Sequence, residues 1–322
     1  MKMHHRVYGI FFIFALSMGA LLSRLPDLQV KLGLTESQLG LLLLTMSVGA
    51  LVGLTFSSPL IERLGARRTA IYAVFGASAL YALIPWAPTA LFATPLFFLA
   101  GVFAGAIEIN VNLETDRHEA QLGYRIMSRA HGMWSLGFFV TAFISAGVRQ
   151  ANISIELHTF IALVVVVVAG WLVFNGIENA PKRAETHAGK MPLIAFPTVG
   201  LLALCLIGAA PLLVEGAGVD WSAIYMRDVF AVEPFWAGFA VALVAGSQAF
   251  ARFFADGFVE RYSPVLVARV LLTVLGLGVV LVFFAPHALL AYLGFALIGI
   301  GSSALFPLAM SAAAQQTDRS AA

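Results

Sequence analysis

Apolar residues along this chain do not alternate with polar ones. They run in ten long blocks, at about 7–23, 39–60, 69–87, 90–112, 130–148, 158–176, 195–216, 235–255, 264–284 and 287–310. A helix needs about 20 apolar residues to cross the hydrocarbon of a bilayer. No water is available there for backbone amides, so each block is expected to be a helix rather than an open strand. The first block follows the basic stretch Met1–Arg6, which also fits the start of a secretory leader. The block is long, no small-x-small cleavage site follows it, and the second block needs a partner, so it reads as a retained span.

Lys and Arg give the blocks an orientation. With the N-terminus in the cytoplasm, Lys2, Arg6, Arg63, Arg67, Arg68, Arg117, Arg125, Arg129, Lys182, Arg183, Lys190, Arg252, Arg261, Arg269 and Arg319 fall inside, and only Arg24, Lys31, Arg149 and Arg227 fall outside. A bias of 15 against 4 follows the positive-inside rule, and dropping any span would scramble it. Both chain ends are then expected in the cytoplasm. Composition agrees: 60% of residues are hydrophobic and 11% charged, against about 25% charged in a soluble domain. The one cysteine, Cys205, cannot form an internal disulfide. No metal cluster, cofactor motif, nucleic-acid signature or enzyme motif appears.

The longest polar interior stretch, 177–194, carries Pro181, Lys182, Arg183, Glu185, His187 and Lys190. It reads as a cytoplasmic linker between an N-terminal six-helix bundle, 1–176, and a C-terminal bundle of four helices, 195–322. A shift of 198 residues superposes Gly40 on Gly238, Glu62-Arg63 on Glu260-Arg261, and Gly101 on Gly299. A second bundle built on the plan of the first explains this, and repeated bundles are a transporter architecture.

The stretch Ser58-Pro59-Leu60-Ile61-Glu62-Arg63-Leu64-Gly65-Ala66-Arg67-Arg68 resembles the signature between the second and third helices of the major facilitator superfamily. It departs from that signature at Ser58, Glu62 and Ala66. Gly257-Phe258-Val259-Glu260-Arg261 resembles its second copy without the tail. The resemblance implies a cytoplasmic latch formed by Glu62, Arg63, Gly65, Arg67 and Arg68 with Glu260 and Arg261. Arg252 and Asp256, four apart on one helix face, are expected to pair with each other or with that latch. His131-Gly132-Met133-Trp134-Ser135-Leu136-Gly137, Glu215-Gly216-Ala217, Asp220-Trp221 and Arg252-Phe253-Phe254-Ala255-Asp256 are similar to the bacterial sugar-permease-like branch related to fucose permeases. The implied fold is all-α integral membrane, of major facilitator type. The family has twelve helices, so a chain ending after the tenth is expected to be a fragment lacking the last two.

Glu108 is the leading candidate for chemistry. It lies in Gly101-x-x-x-Gly105-x-x-Glu108-x-x-x-Asn112, four positions within about 60° of one another on a helix. A carboxylate at that depth costs about 2.5–3.5 kcal/mol on insertion scales and usually faces a cavity or a partner. One reading makes Glu108 a proton-titrating group with Asn110 and Asn112 as donors to substrate; the other pairs it with Arg129. The Glu-to-Asn spacing also matches what the resemblance implies for a sugar permease. His131 is read either as a relay to Glu108 or as a helix-end hydrogen bond. Trp134, Glu215, Asp220, Trp221 and Gln248 complete the candidate substrate site, with Trp221 equally read as an interfacial anchor. Arg24 is read either as meeting Glu215 or Asp220 in an outer gate or as simply marking the membrane interface. Together these imply a monomeric secondary transporter moving a small, sugar-like solute with protons; a non-transporting membrane sensor and an efflux carrier remain as alternatives.

Overall fold

The computed structural model describes residues 3–124, 126–175 and 199–314. It consists of thirteen α-helices: α1 Met3–Leu22, α2 Leu25–Leu32, α3 Glu36–Phe56, α4 Ser58–Leu64, α5 Ala66–Leu83, α6 Ala90–Leu122, α7 Met127–Gln150, α8 Ile155–Phe174, α9 Val199–Phe230, α10 Pro234–Arg261, α11 Pro264–Phe283, α12 Ala288–Ser302 and α13 Leu305–Ala314. Among the described residues there is no strand, and ten helical stretches are long and apolar enough to cross a membrane. The tenth, Ala288–Ala309, takes in both α12 and α13. Large apolar side chains face outward along most of them, such as Leu51, Phe56, Val168 and Leu213, as a protein solvated by lipid requires. The linker expected at 177–194 lies outside the described residues.

α1, α3 and α5–α8 form one bundle and α9–α13 the other. The core of the first is built on α1, where Phe11, Phe14, Ala15 and Leu21 are buried and which packs on α5, α7 and α8. The first block is thus built into the bundle.

Helices approach to backbone contact where glycines fall four apart. A Cβ on Gly49 would strike the Phe98 carbonyl, one on Gly53 that of Val102, one on Gly101 that of Met46 and one on Gly105 that of Ala50. Small residues at such a crossing are what allow close packing without a hydrophobic drive between helices. The second bundle repeats the contact: a Cβ on Gly299 would strike the Val244 carbonyl, and both positions are those of Gly101 and Met46 shifted by 198 residues. Gly40 and Gly238, related by the same shift, each face the other bundle, meeting Trp221 and Ala146. Gly101→Val is expected to destabilise the protein by more than about 3 kcal/mol, beyond ordinary overpacking, because a carbonyl blocks the added methyl groups. Melting in detergent like that of the parent would contradict the packing described.

Three features depart from the block pattern. α2 is a separate eight-residue helix, opened by Pro26 in its first turn. α6 continues to Leu122, where Arg117 pairs with Glu114 at 2.7 Å and His118 meets Gln121 at 3.2 Å. The last block breaks at Ser303 and Ala304 between α12 and α13.

Candidate functional site

α7 and α10 run antiparallel along the seam between the bundles, with Ala146 against Gly238, Phe139 against Gly246 and Phe253 against Gly132. Toward the end of α7 at which it begins, this seam turns polar. Glu108 and Arg252 each lie eighteen residues into their helices, α6 and α10, or about 27 Å along at 1.5 Å per residue, so the two bundles bring their charges to similar depth.

One chain of contacts joins the two bundles. Asn112 Nδ2 donates to Glu108 Oε1 at 2.8 Å, one helical turn away on α6. Asn112 Oδ1 lies 3.1 Å from His131 Nε2. With the amide nitrogen turned to Glu108, that oxygen must accept, so Nε2 is assigned the imidazole proton. The His131 ring rests on Phe11, centroids 5.1 Å apart. One turn along α7, Ser135 Oγ lies 3.2 Å from the His131 carbonyl and 3.0 Å from Gln248 Oε1 of α10. Gln248 Nε2 donates to Ser302 Oγ at 3.2 Å.

Arg252 closes the assembly. Its Nη1 donates to Ser135 Oγ at 2.5 Å and its Nε to the Ser303 carbonyl at 3.0 Å. Its Nη2 stands 3.6 Å from Glu215 Oε2 of α9, an ion pair with both side chains largely buried. The break between α12 and α13 explains the Ser303 bond, because a carbonyl released from the helical ladder needs another donor.

Several expected residues sit elsewhere. Arg252, expected to pair with Asp256 or with the latch, makes its three described contacts in the central network instead, to Ser135 of α7, Glu215 of α9 and Ser303 at the α12–α13 break; the Asp256 side chain lies outside the described ones. Asn110 donates to the Ala66 carbonyl at 2.8 Å and clamps α5 rather than facing the seam. It is two residues, about 200°, from Glu108. His131 is not in direct contact with Glu108, because the Asn112 amide stands between them and an amide does not pass a proton on. Arg129, the other expected partner of Glu108, is exposed, and Glu108 bonds Asn112 instead. Trp134 packs on Phe138 at 5.3 Å between centroids. Trp221 packs against Gly40, across the seam rather than at a lipid interface alone. Asp220, one residue before it, has no hydrogen bond or ion pair among the described residues.

Arg24 does not meet Glu215 or Asp220. It pairs with Asp27 and donates to the Ile153 carbonyl at 2.9 Å. Asp27 also holds Arg149 at 2.7 Å. Lys31 pairs with Glu156, and Arg227 of α9 donates to Gln29 Oε1 at 2.9 Å. Four polar contacts thus fix α2 across that end of the molecule, and the one through Arg227 crosses between bundles, as does the bond from Phe235 N to Gln150 Oε1 at 3.0 Å. The nearest acid, three residues on, captured Arg24.

The latch segment is a tight corner. Gly65 has φ of +79° between α4 and α5, a conformation that side chains other than glycine resist. Glu62, Arg63, Arg67 and Arg68 are exposed, as are Glu260 and Arg261, and no ion pair joins Glu62 to these arginines among the described residues. Arg261 lies over the Tyr262 ring at 5.7 Å. Ser135, Ser302 and Ser303 were not singled out from sequence. Ser135 lies four residues after His131, and that spacing is the signal that could have found it.

The chain is similar to known proteins along most of its length. The family model described as Major Facilitator Superfamily matches residues 7–322. The uncharacterized transporter y4wD of Sinorhizobium fredii is 28% identical over 94% of this chain and 80% of its own length. An uncharacterized MFS-type transporter of Yersinia pestis is 26% identical over 95% of this chain and 79% of its own. The crystal structure of a mutant of the nucleoside transporter NupG superposes with a TM-score of 0.71 at 13% identity, covering 97% of this chain and 82% of that one. The chain, all-helical and spanning, with paired bundles related by an internal repeat, belongs to the Major Facilitator Superfamily of transporters.

Proposed function

We propose that this protein is a secondary active transporter that moves a small, sugar-like solute by alternating access, with proton movement coupled through Glu108. The observation that carries this reading is the continuous polar network from Glu108 on α6 to Glu215 on α9. Charged groups inside a spanning bundle are expensive and mark pathways, and here they bridge the two bodies that would have to rock. The contacts around α2 hold one end of the seam shut, and breaking the Arg227 to Gln29 bond would be part of opening it. The protein acts as a monomer, with 1–176 and 195–322 as the moving units and 177–194 joining them.

The test is uptake into proteoliposomes holding the purified chain. Solute accumulation that a proton uncoupler abolishes supports the reading. A chain that binds solute but never moves it would be a sensor instead.

The orientation belongs to the same proposal: both termini and the 177–194 linker face the cytoplasm of a bacterial inner membrane, as the Lys and Arg bias requires. In a Cys205→Ala background, a cysteine at Glu185 should resist an impermeant thiol reagent in intact cells and react after lysis. Labelling from outside would reverse the topology.

A further inference from the structure

Hydrogen bonds at the central site sort by bundle. In the first bundle, Asn112 bonds Glu108 and meets His131. In the second, Arg252 Nε donates to the Ser303 carbonyl, its Nη2 faces Glu215, and Gln248 Nε2 donates to Ser302. Among the described residues, the hydrogen bonds that cross between bundles here all meet at one atom, Ser135 Oγ, which contacts Gln248 Oε1 at 3.0 Å and Arg252 Nη1. The remaining cross-bundle bonds lie at the α2 end, from Arg227 to Gln29 and Pro26 and from Phe235 to Gln150.

A hydroxyl has one proton to give and can also accept, whereas a guanidinium only donates. Ser135 Oγ therefore accepts from Arg252. Its own proton has two acceptors in reach: Gln248 Oε1, and at 3.2 Å the His131 carbonyl one turn back on α7. The second is the bond a helical serine makes to its own backbone, and it needs nothing from the other bundle. Gln248 and Arg252 likewise have Ser302, Ser303 and Glu215 within their own bundle. Ser135 is 0% exposed, and Phe253 against Gly132 and Phe139 against Gly246 flank it along the seam. No water replaces its hydroxyl while the seam is closed.

We propose that Ser135 is the release point of the seam: its hydroxyl ties α7 to Gln248 and Arg252 while this end is closed, and turns to the His131 carbonyl when the bundles part. This rests on the alternating-access reading above and adds the positioning residue that sets how readily the end where α7 begins will open.

Spin labels on cysteines at Arg63 and Arg261, exposed positions at the ends of α4 and α10, report the distance between bundles there, in the full chain carrying Cys205→Ala and held in nanodiscs. Ser135→Ala strands Gln248 Oε1 and Arg252 Nη1 only in the closed form, so the open-to-closed ratio should rise about tenfold. Ser135→Thr keeps the hydroxyl and should stay near the parent ratio. Gln248→Leu serves if the alanine variant does not fold. It removes one of the two ties and leaves Ser135 to the His131 carbonyl and Ser302 to the Gly299 carbonyl, 3.3 Å away, so the ratio should rise about threefold. An unchanged ratio in Ser135→Ala, or in Gln248→Leu where that variant stands in, overturns the proposal. A threonine variant that opens as far as the alanine one also overturns it, because packing rather than the hydroxyl would then be responsible. A shifted ratio in a chain that moves no solute leaves Ser135 as the tie and overturns the transport reading alone.

Discussion

Vesicles carrying Glu108→Gln are expected to exchange solute at near the parent rate yet fail to accumulate it. Glutamine keeps the shape of the side chain and can still accept from Asn112 Nδ2, 2.8 Å away in the parent, so the network toward His131 survives. What is lost is the group that can gain and release a proton. One proton crossing a 100 mV potential supplies about 2.3 kcal/mol, enough to hold a neutral solute about fiftyfold concentrated at 1.4 kcal/mol per tenfold. The variant should fall to equal concentrations on both sides. Radiolabelled uptake against counterflow in the same vesicles separates the two quantities, and a variant that still concentrates solute removes Glu108 from the coupling.

Arg252→Leu should have the largest effect on stability of any change at the site. It deprives Glu215 of the cation paired with it among the described residues, and it leaves the Ser303 carbonyl and Ser135 Oγ without their Arg252 donors. Breaking a buried ion pair from one side costs about 3–5 kcal/mol, whereas replacing both partners by apolar residues can be nearly neutral. Melting in detergent should therefore drop sharply for Arg252→Leu and recover in large part for Arg252→Leu combined with Glu215→Leu. Equal melting of the single and double variants would show that the two side chains do not depend on each other. The double variant is also expected to be inactive in transport, since it removes the link between α9 and α10 at the seam.

The ten spans and the pairing of Glu108 with Asn112 could be read directly, because each rests on a local quantity. Hydrophobic length decides whether a helix spans, and a four-residue spacing decides that Glu108 and Asn112 share a face. The repeat was visible as sparse matches at a 198-residue shift, and Gly101 with Gly299 proved to be the same helix crossing made twice. The same periodicity would have separated Asn110 from Glu108, about 200° apart, had it been applied to that pair.

Tertiary structure alone decided the partners. Arg252 was placed with the latch by its neighbour four residues away. Its real acceptors come from α7, α9 and the break after α12, segments 37 or more residues distant in sequence. Arg24 went to Asp27 rather than across the seam, and α2 became a tethered helix because Arg149, Glu156 and Arg227 converge on it from three others. Sequence specifies which side chains are too polar for lipid and at what depth they lie. Which of them meet depends on how two bundles lean together, and that is set by backbone contacts at glycines spread over the whole chain.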